Sequence, residues 1–278
     1  MSDFTQRLAA LSPEKRKLLE LRLKRRGILL AVDQQIPRRS EVGPTPLSFA
    51  QERLWFLDQF EPDGSVYNVP IALRLDGSLD VTALESSLNQ IVARHEVLRT
   101  SFRAVEGEPE QIVAAAQMID LCVIDLQELS GPEQQAAVAE TLGRKAREPF
   151  DLAHGPLLRA ALLRLQPTEH IFFLCLHHIV SDEWSSSILF RELAFYYNTA
   201  ASNKHAQLDD LPIQYADYAL WQRQWLQGEA LEGELSYWKE KLAGAPPSPL
   251  PPIDHARPPR QTYHGERVSR LLLPGPRL

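Results

Sequence analysis

The chain has 278 residues, 44% of them hydrophobic and 24% charged, so it can bury a core in one large or two small domains. Its 30 basic and 36 acidic residues give a net charge of −6, which excludes the basic footprint of a typical nucleic-acid-binding protein. The apolar run "IFFLCL" is far shorter than a membrane span, and the N-terminus has no apolar signal-peptide core. We therefore expect a cytoplasmic protein that binds neither nucleic acid nor a membrane.

Residues 1–43 are predicted to form an amphipathic helix followed by a linker. Ser12 and Pro13 stand in the order of a helix cap and a first-turn proline, and Gly27 follows as a stop signal. The many basic side chains between them form either a solvated surface or a face that docks on a partner.

Residues 44–243 are predicted to form a domain in which helices and strands are interspersed. Apolar spacing and cap residues predict helices at 47–60, 81–98, 131–149, from about 184, 213–227 and 231–242. Apolar, β-branched runs predict strands at 69–75, 99–105, 110–115 and 121–126, and two more within 156–178.

Residues 244–278 are predicted to be a connector and the start of a further unit. Seven prolines lie between Pro246 and Pro259, too many for a regular helix or strand. The residues from there to Leu278 suffice for one strand, so we expect the chain to end where another folding unit begins.

The stretch "IFFLCLHHIVSDEWSSS" at 171–187 carries the clearest candidate chemistry. Adjacent residues of a strand point to opposite faces, so one of His177 and His178 is structural and the other is available, which argues against a metal site that uses both. A histidine that leaves a strand for a loop suits proton transfer near neutral pH. Asp182 is placed to hold the turn, by accepting backbone N–H bonds or by pairing with an arginine.

Four stretches together resemble the motifs of one family, the condensation domains of nonribosomal peptide synthetases. They are "LSFAQERLWFLDQF" at 47–60, "RHEVLRTSF" at 94–102, "HHIVSDEWS" at 177–185 and "YADYALWQRQWL" at 215–226. "PFDLAHGPLLRAALLRL" and "YWKEKLAG" add support, and "AQERLWFLDQ" most resembles the subtype that joins two L-configured residues.

The resemblance implies a chloramphenicol-acetyltransferase-like α/β fold of two lobes, each a mixed sheet with flanking helices, with this chain as the amino-terminal lobe. Upstream and downstream peptidyl carrier domains would present two thioesters on 4'-phosphopantetheine in a tunnel between the lobes. The acceptor amine would attack the donor carbonyl and form an amide, with no cofactor bound by the domain itself. The second lobe and an adenylation domain would be further partners.

The resemblance also implies the roles of individual residues. His178 matches the catalytic histidine, which acts as a base or by holding the amine, and His177 matches the structural one. Asp182 matches an aspartate that holds the loop through an arginine, for which we expect Arg99. The substrate-tunnel candidates are Glu183, Trp184 and Ser185, and no metal is implied.

Two departures from the family pattern affect the expected activity. Glu183 stands where the family motif has glycine, and its carboxylate either favours the start of the next helix or projects into the tunnel and obstructs a substrate. Second-lobe motifs are absent up to Leu278, so we expect little condensation activity from the isolated chain.

Three functions remain open. The first is the amino-terminal lobe of an L-to-L condensation domain. The second is a stand-alone acyltransferase of the same superfamily that uses a coenzyme A thioester. The third is a non-catalytic module that binds carrier domains.

Overall fold

Two sheets organise the fold in the computed structural model, which describes Lys15 and residues 36–41, 43–61, 64–115, 118–202 and 207–245. The three-stranded sheet has the order β1 (Thr45–Pro46), β4 (Glu108–Val113), β3 (Thr100–Val105). The four-stranded sheet has the order β2 (Asn68–Asp76), β7 (Glu169–His177), β6 (Leu158–Gln166), β5 (Leu121–Asp125). Strands β5 and β6 pair in parallel and the other neighbours antiparallel, so the larger sheet is mixed, as predicted.

The helices lie where apolar spacing predicts them. They are α1 (Phe49–Phe60), α2 (Val81–Arg94), α3 (Gly131–Arg147), α4 (Glu183–Ala201), α5 (Tyr215–Trp225) and α6 (Gly228–Lys241). The helix predicted over 81–98 ends early, because the backbone of His95 is extended, and a short 3-10 helix, Glu96–Arg99, continues the chain into β3.

Alternation along the two central strands divides the core between the faces of the larger sheet. On the first face, Phe172, Leu174 and Leu176 of β7 pack against α2 and α4. On the second face, Phe173 and Cys175 join a cluster that includes side chains of α3 and of the segments that flank β6. In β7, even-numbered residues therefore pack on the first face of the sheet and odd-numbered residues on the second.

The described helices differ in how much of their surface is covered. Helix α4 buries Leu189, Glu192, Leu193 and Tyr196, whereas α6 has no buried residue. The exposed apolar side chains of the α6 region are Leu231, Leu235, Tyr237, Trp238 and Leu242.

Some predictions fall outside the described residues, namely the helix between Ser12 and Gly27 and the proline-rich connector from Pro246 to Leu278. Within the ranges given above, no helix has both the length and the apolar character that crossing a bilayer requires.

Candidate active site

His177, the last residue of β7, is a buried side chain of the second face. Its side chain lies near the rings of Tyr67 and Phe150, at centroid distances of 6.3 and 6.1 Å. Its Nδ1 accepts a hydrogen bond of 3.1 Å from the backbone N–H of Ile179, so the ring proton sits on Nε2. Burial and then the neighbouring His178 lower the pKa of His177 to about 4, which keeps it neutral. These contacts fit the predicted structural role.

His178 is exposed at the point where the chain leaves the sheet. Its backbone N–H donates to the carbonyl of Tyr67 at 2.8 Å, which extends the pairing with the segment before β2 by one residue. Its ring Nδ1 lies 2.7 Å from the carbonyl oxygen of Ser181. Because a carbonyl can only accept, Nδ1 carries a proton, and in the neutral ring the lone pair is therefore on Nε2. No described residue hydrogen-bonds to that Nε2.

Asp182 caps helix α4. Its Oδ1 accepts the backbone N–H of Ser185 at 2.7 Å and the hydroxyl of the same serine at 2.6 Å. The hydroxyl bond, followed by the backbone bond, lowers the pKa of Asp182, so the carboxylate stays ionised at the positive end of the helix. The cap fixes the loop 178–182, which includes the carbonyl of Ser181 that holds His178.

The predicted ion pair between Asp182 and Arg99 is wrong. Arg99 ends the 3-10 helix, where it donates to the carbonyl of Ala114 and lies 3.9 Å from Oε1 of Glu96. It therefore holds the entrance of β3 to the end of β4. Asp182 satisfies its charge locally through Ser185, so it needs no arginine from this part of the fold.

The three tunnel candidates occupy the first turn of α4. Glu183 and Trp184 are exposed, Trp184 by 78%, and Ser185 is half-buried under the cap. Glu106 is the only described residue other than glycine with a positive φ, so Glu183 has no strained backbone that a glycine would relieve. No hydrogen bond or ion pair links the carboxylate of Glu183 to another described residue.

The sequence did not single out the two backbone carbonyls that position His178, those of Tyr67 and Ser181. Backbone acceptors leave no trace in residue types, so only the register of β2 against β7 and the length of the loop define them. Across the described ranges, no group of three or more His, Cys, Asp or Glu side chains is arranged to hold a metal ion.

Comparison with known proteins identifies the family. A model of the condensation domain matches residues 42–276. One component of the linear gramicidin synthase of Brevibacillus parabrevis is 48% identical over 232 residues, which are 84% of this chain and 3% of that protein. The phosphinothricin tripeptide synthetase PhsC of Streptomyces viridochromogenes is 44% identical over 275 residues, 99% of this chain and 25% of that protein.

Solved structures agree on the fold. The X-domain from teicoplanin biosynthesis superposes with a TM-score of 0.70 at 29% identity and is matched over 81% of this chain and 49% of its own. The starter condensation domain of rhizomide synthetase RzmA, at 23% identity and a TM-score of 0.66, is matched over 73% of this chain and supports the fold alone. The chain thus spans about half of each solved domain, 49%, and a much smaller share of the synthetases.

The mixed sheet with its flanking helices and the match to these solved domains define a chloramphenicol-acetyltransferase-like fold. The chain belongs to the condensation domains of nonribosomal peptide synthetases. Members of this family work beside carrier and adenylation domains in multidomain synthetases, and their substrates are carried on the phosphopantetheine of carrier domains.

Proposed function

We propose that this chain contributes the reactive histidine of a condensation domain that joins a donor thioester to an acceptor amine. The observation that carries the proposal is the state of His178, which is exposed and protonated on Nδ1 by its bond to Ser181, with a free lone pair on Nε2. That nitrogen takes a proton from the attacking amine as the amine nitrogen bonds to the donor carbonyl carbon. The tetrahedral intermediate then breaks its C–S bond, and the thiolate of phosphopantetheine takes the proton back from Nε2, which leaves an amide and a free thiol.

The chain accounts for one wall of the proposed reaction tunnel. Its match to about half of each solved domain supports a second half as the opposite wall, and we expect little turnover from these 278 residues alone. Upstream and downstream peptidyl carrier domains deliver the two thioesters, and an adenylation domain loads one of them. The proposed domain division is a preceding segment at residues 1–43, the amino-terminal lobe at residues 44–243 and the connector into the second lobe at residues 244–278. The proposed condensation domain is of the L-to-L subtype. Its predicted location is the cytoplasm.

Substitution into PhsC tests this function. The 275 aligned residues allow this chain to replace the matching segment of that synthetase, so that the remainder of PhsC surrounds it. With both carrier domains loaded, mass spectrometry of the acceptor carrier measures amide formation. We expect product from the chimera, none from the chimera with His178→Ala, and little from the isolated chain. A folded chimera that loads both carriers but forms no amide contradicts the proposal.

A non-catalytic carrier-binding module is a second candidate, and Glu183 favours it. The carboxylate of this residue is exposed at the start of α4, five residues after His178, where the family motif has glycine. In that case the chimera binds loaded carriers but makes no amide, and Glu183→Gly, which returns the glycine of the family motif, restores amide formation. Supplying the donor as a coenzyme A thioester instead of a loaded carrier tests the stand-alone acyltransferase, for which we expect no acceleration over the His178→Ala control.

A further inference from the structure

A small cavity lies beneath the loop that carries His178. It has a volume of about 110 Å³ and opens between the first face of the larger sheet, the 3-10 helix and helices α2 and α4. Its lining is mainly apolar and includes Ile71, Leu176, Ile188 and Leu189. Four polar residues complete the wall, and they are His95, Ser181, Ser185 and Ser186.

The polar side chains of this wall are hydrogen-bonded to residues that do not line the cavity. The hydroxyl of Ser185 donates to Asp182 Oδ1, that of Ser186 to the carbonyl of Asp182 at 3.0 Å, and that of Ser181 to the carbonyl of His177 at 3.5 Å. The Nε2 of His95 lies 2.7 Å from Oε2 of the buried Glu192. With these groups already bonded to the protein, the cavity presents a mainly apolar surface to a ligand.

Strand alternation, which the backbone bond from His178 to Tyr67 extends by one residue, assigns His178 to the same side of the sheet as the cavity. Leu176 lines the cavity and precedes His178 by two residues, which is one full repeat of strand alternation and about 7 Å along the chain. Ser181 contributes to the cavity wall, and its carbonyl holds the His178 ring. We therefore expect that a substrate whose reacting carbon or nitrogen approaches His178 can extend its side chain toward the cavity.

We infer that this cavity binds a small aliphatic side chain of one of the two residues being joined, so that it selects neutral branched residues over charged or aromatic ones. The inference rests on the proposed function and adds the substrate class to it. An apolar cavity of about 150 Å³ accepts benzene, so this one has room for roughly four carbon atoms. A charged side chain would lose its hydration without gaining a partner, because the polar wall groups are already bonded.

Binding to the 278-residue chain itself tests the cavity without requiring catalysis. The probe is the isovaleryl thioester of N-acetylcysteamine, and the acetyl thioester is its short-chain control. In spectra of methyl-labelled protein, isovaleryl thioester should shift the methyl signals of Ile71, Ile188 and Leu189, and acetyl thioester should leave them in place. If the folded chain shows no such shifts, the inference is overturned, whether or not the PhsC chimera is active.

Matched substitutions on α4 locate the effect. Ser186→Leu should fill the cavity and weaken isovaleryl binding at least about tenfold. Ser187→Leu adds the same side chain at the next position, which is exposed and outside the cavity wall, and should change binding less than about twofold. Equal loss in both variants overturns the inference. If Ser186→Leu does not fold, Ile188→Ala takes its place as the test variant. It enlarges the cavity and should shift the binding preference from the isovaleryl thioester toward a phenylacetyl thioester. An unchanged binding preference overturns the inference.

The PhsC chimera then identifies which substrate uses the cavity. Leucyl, alanyl and lysyl residues are loaded separately on the donor carrier and on the acceptor carrier. We expect leucyl to exceed lysyl by at least about tenfold on one carrier only, and Ser186→Leu to remove that preference. Methyl shifts in the isolated chain without amide formation in the chimera would support the cavity while contradicting the proposed function. Amide formation with no side-chain preference on either carrier would overturn the cavity's role in selection.

Discussion

The two faces of the larger sheet differ most at the end of β7. On the second face, His177 is 3% exposed, contacts aromatic rings and lies beside a cluster of buried side chains. On the first face, a cavity remains between the sheet and α4, and the chain turns there so that His178 is exposed. One step along the chain thus separates a side chain that completes a core from one that faces solvent.

The same step reverses the position of the proton on the imidazole ring. His177 accepts a backbone N–H on Nδ1 and keeps its proton on Nε2, whereas His178 donates from Nδ1 to a carbonyl and keeps a lone pair on Nε2. Neighbouring backbone groups, rather than charged side chains, set both tautomers. The backbone of a short turn is therefore enough to give two identical residues different chemistry, and mutation of each residue should separate their roles.

The largest effect is expected at the exposed histidine. His178→Ala in the PhsC chimera should reduce the rate of amide formation by about 10²- to 10⁴-fold, because it removes the proposed acceptor for the amine hydrogen. The midpoint of thermal unfolding should stay unchanged, since the ring is exposed. His154→Ala is the control, because it removes another exposed histidine from a different loop. An equal loss in both variants would contradict the assignment.

The buried histidine should make stability depend on pH. Above pH 6.5 His177 is mostly neutral in both the folded and the unfolded chain. As the pH falls below that value, the unfolded chain takes up a proton that the folded chain refuses until pH about 4. The free energy of unfolding should therefore decrease by roughly 3 kcal/mol between pH 6.5 and 4 on account of this residue.

His177→Gln provides the comparison that isolates the effect. Burial also lowers the pKa of His170, which adds loss of stability in the same direction in both proteins. Denaturant unfolding at several pH values should give a shallower decrease for the variant than for the parent chain. If the free energy of unfolding falls equally with pH in both proteins, His177 takes up its proton as readily in the folded chain as in the unfolded chain.

A smaller effect is expected at the cap that supports the turn. Asp182→Ala should destabilise the fold by about 1 kcal/mol, because the N–H of Ser185 loses its acceptor. Asp182→Asn should retain most of the stability, since an amide oxygen also caps a helix. Chemical denaturation measures both. If the asparagine variant is as unstable as the alanine variant, the charge rather than the cap supports the loop.

The smallest effect is expected at the first residue of α4. Glu183→Gly should lower the free energy of unfolding by about 0.5–1 kcal/mol, through loss of a favourable charge at the helix start and of backbone restriction. Glu183→Gln removes the charge alone. Because the backbone is unstrained and the side chain is exposed, we expect no change in the condensation rate of the chimera. A faster Glu183→Gly chimera would show that the carboxylate obstructs a substrate.

Much of this site was predictable from local pattern. The alternation of β7 predicted that one of the two histidines is buried and the other available, and the family resemblance indicated which is which. The helices followed from apolar spacing, and the cap at Asp80 from its position before one of them. Asp182 caps the next helix in the same way, through the backbone N–H of the residue three positions later, whereas the family resemblance predicted an ion pair with a distant arginine.

The remainder depends on three-dimensional packing. Arg99 and Asp182 are both polar residues near loops, and only the path of the 3-10 helix shows that Arg99 reaches Ala114 and Glu96 instead. The cavity is invisible in the sequence because it arises from the spacing of several elements rather than from any residue type. Likewise, apolar spacing predicted α6 but not that none of its residues would be buried in the described part of the fold.

The bond between His178 and the carbonyl of Ser181 has a consequence for how this site tolerates mutation. Since the acceptor belongs to the peptide backbone, no exchange of the side chain at position 181 can delete it. The reactive tautomer is thus encoded by the length and shape of a turn instead of by a dedicated residue. Homologues with a different residue at position 181 can therefore still present Nε2 of the histidine, provided that the backbone of the turn has the same conformation.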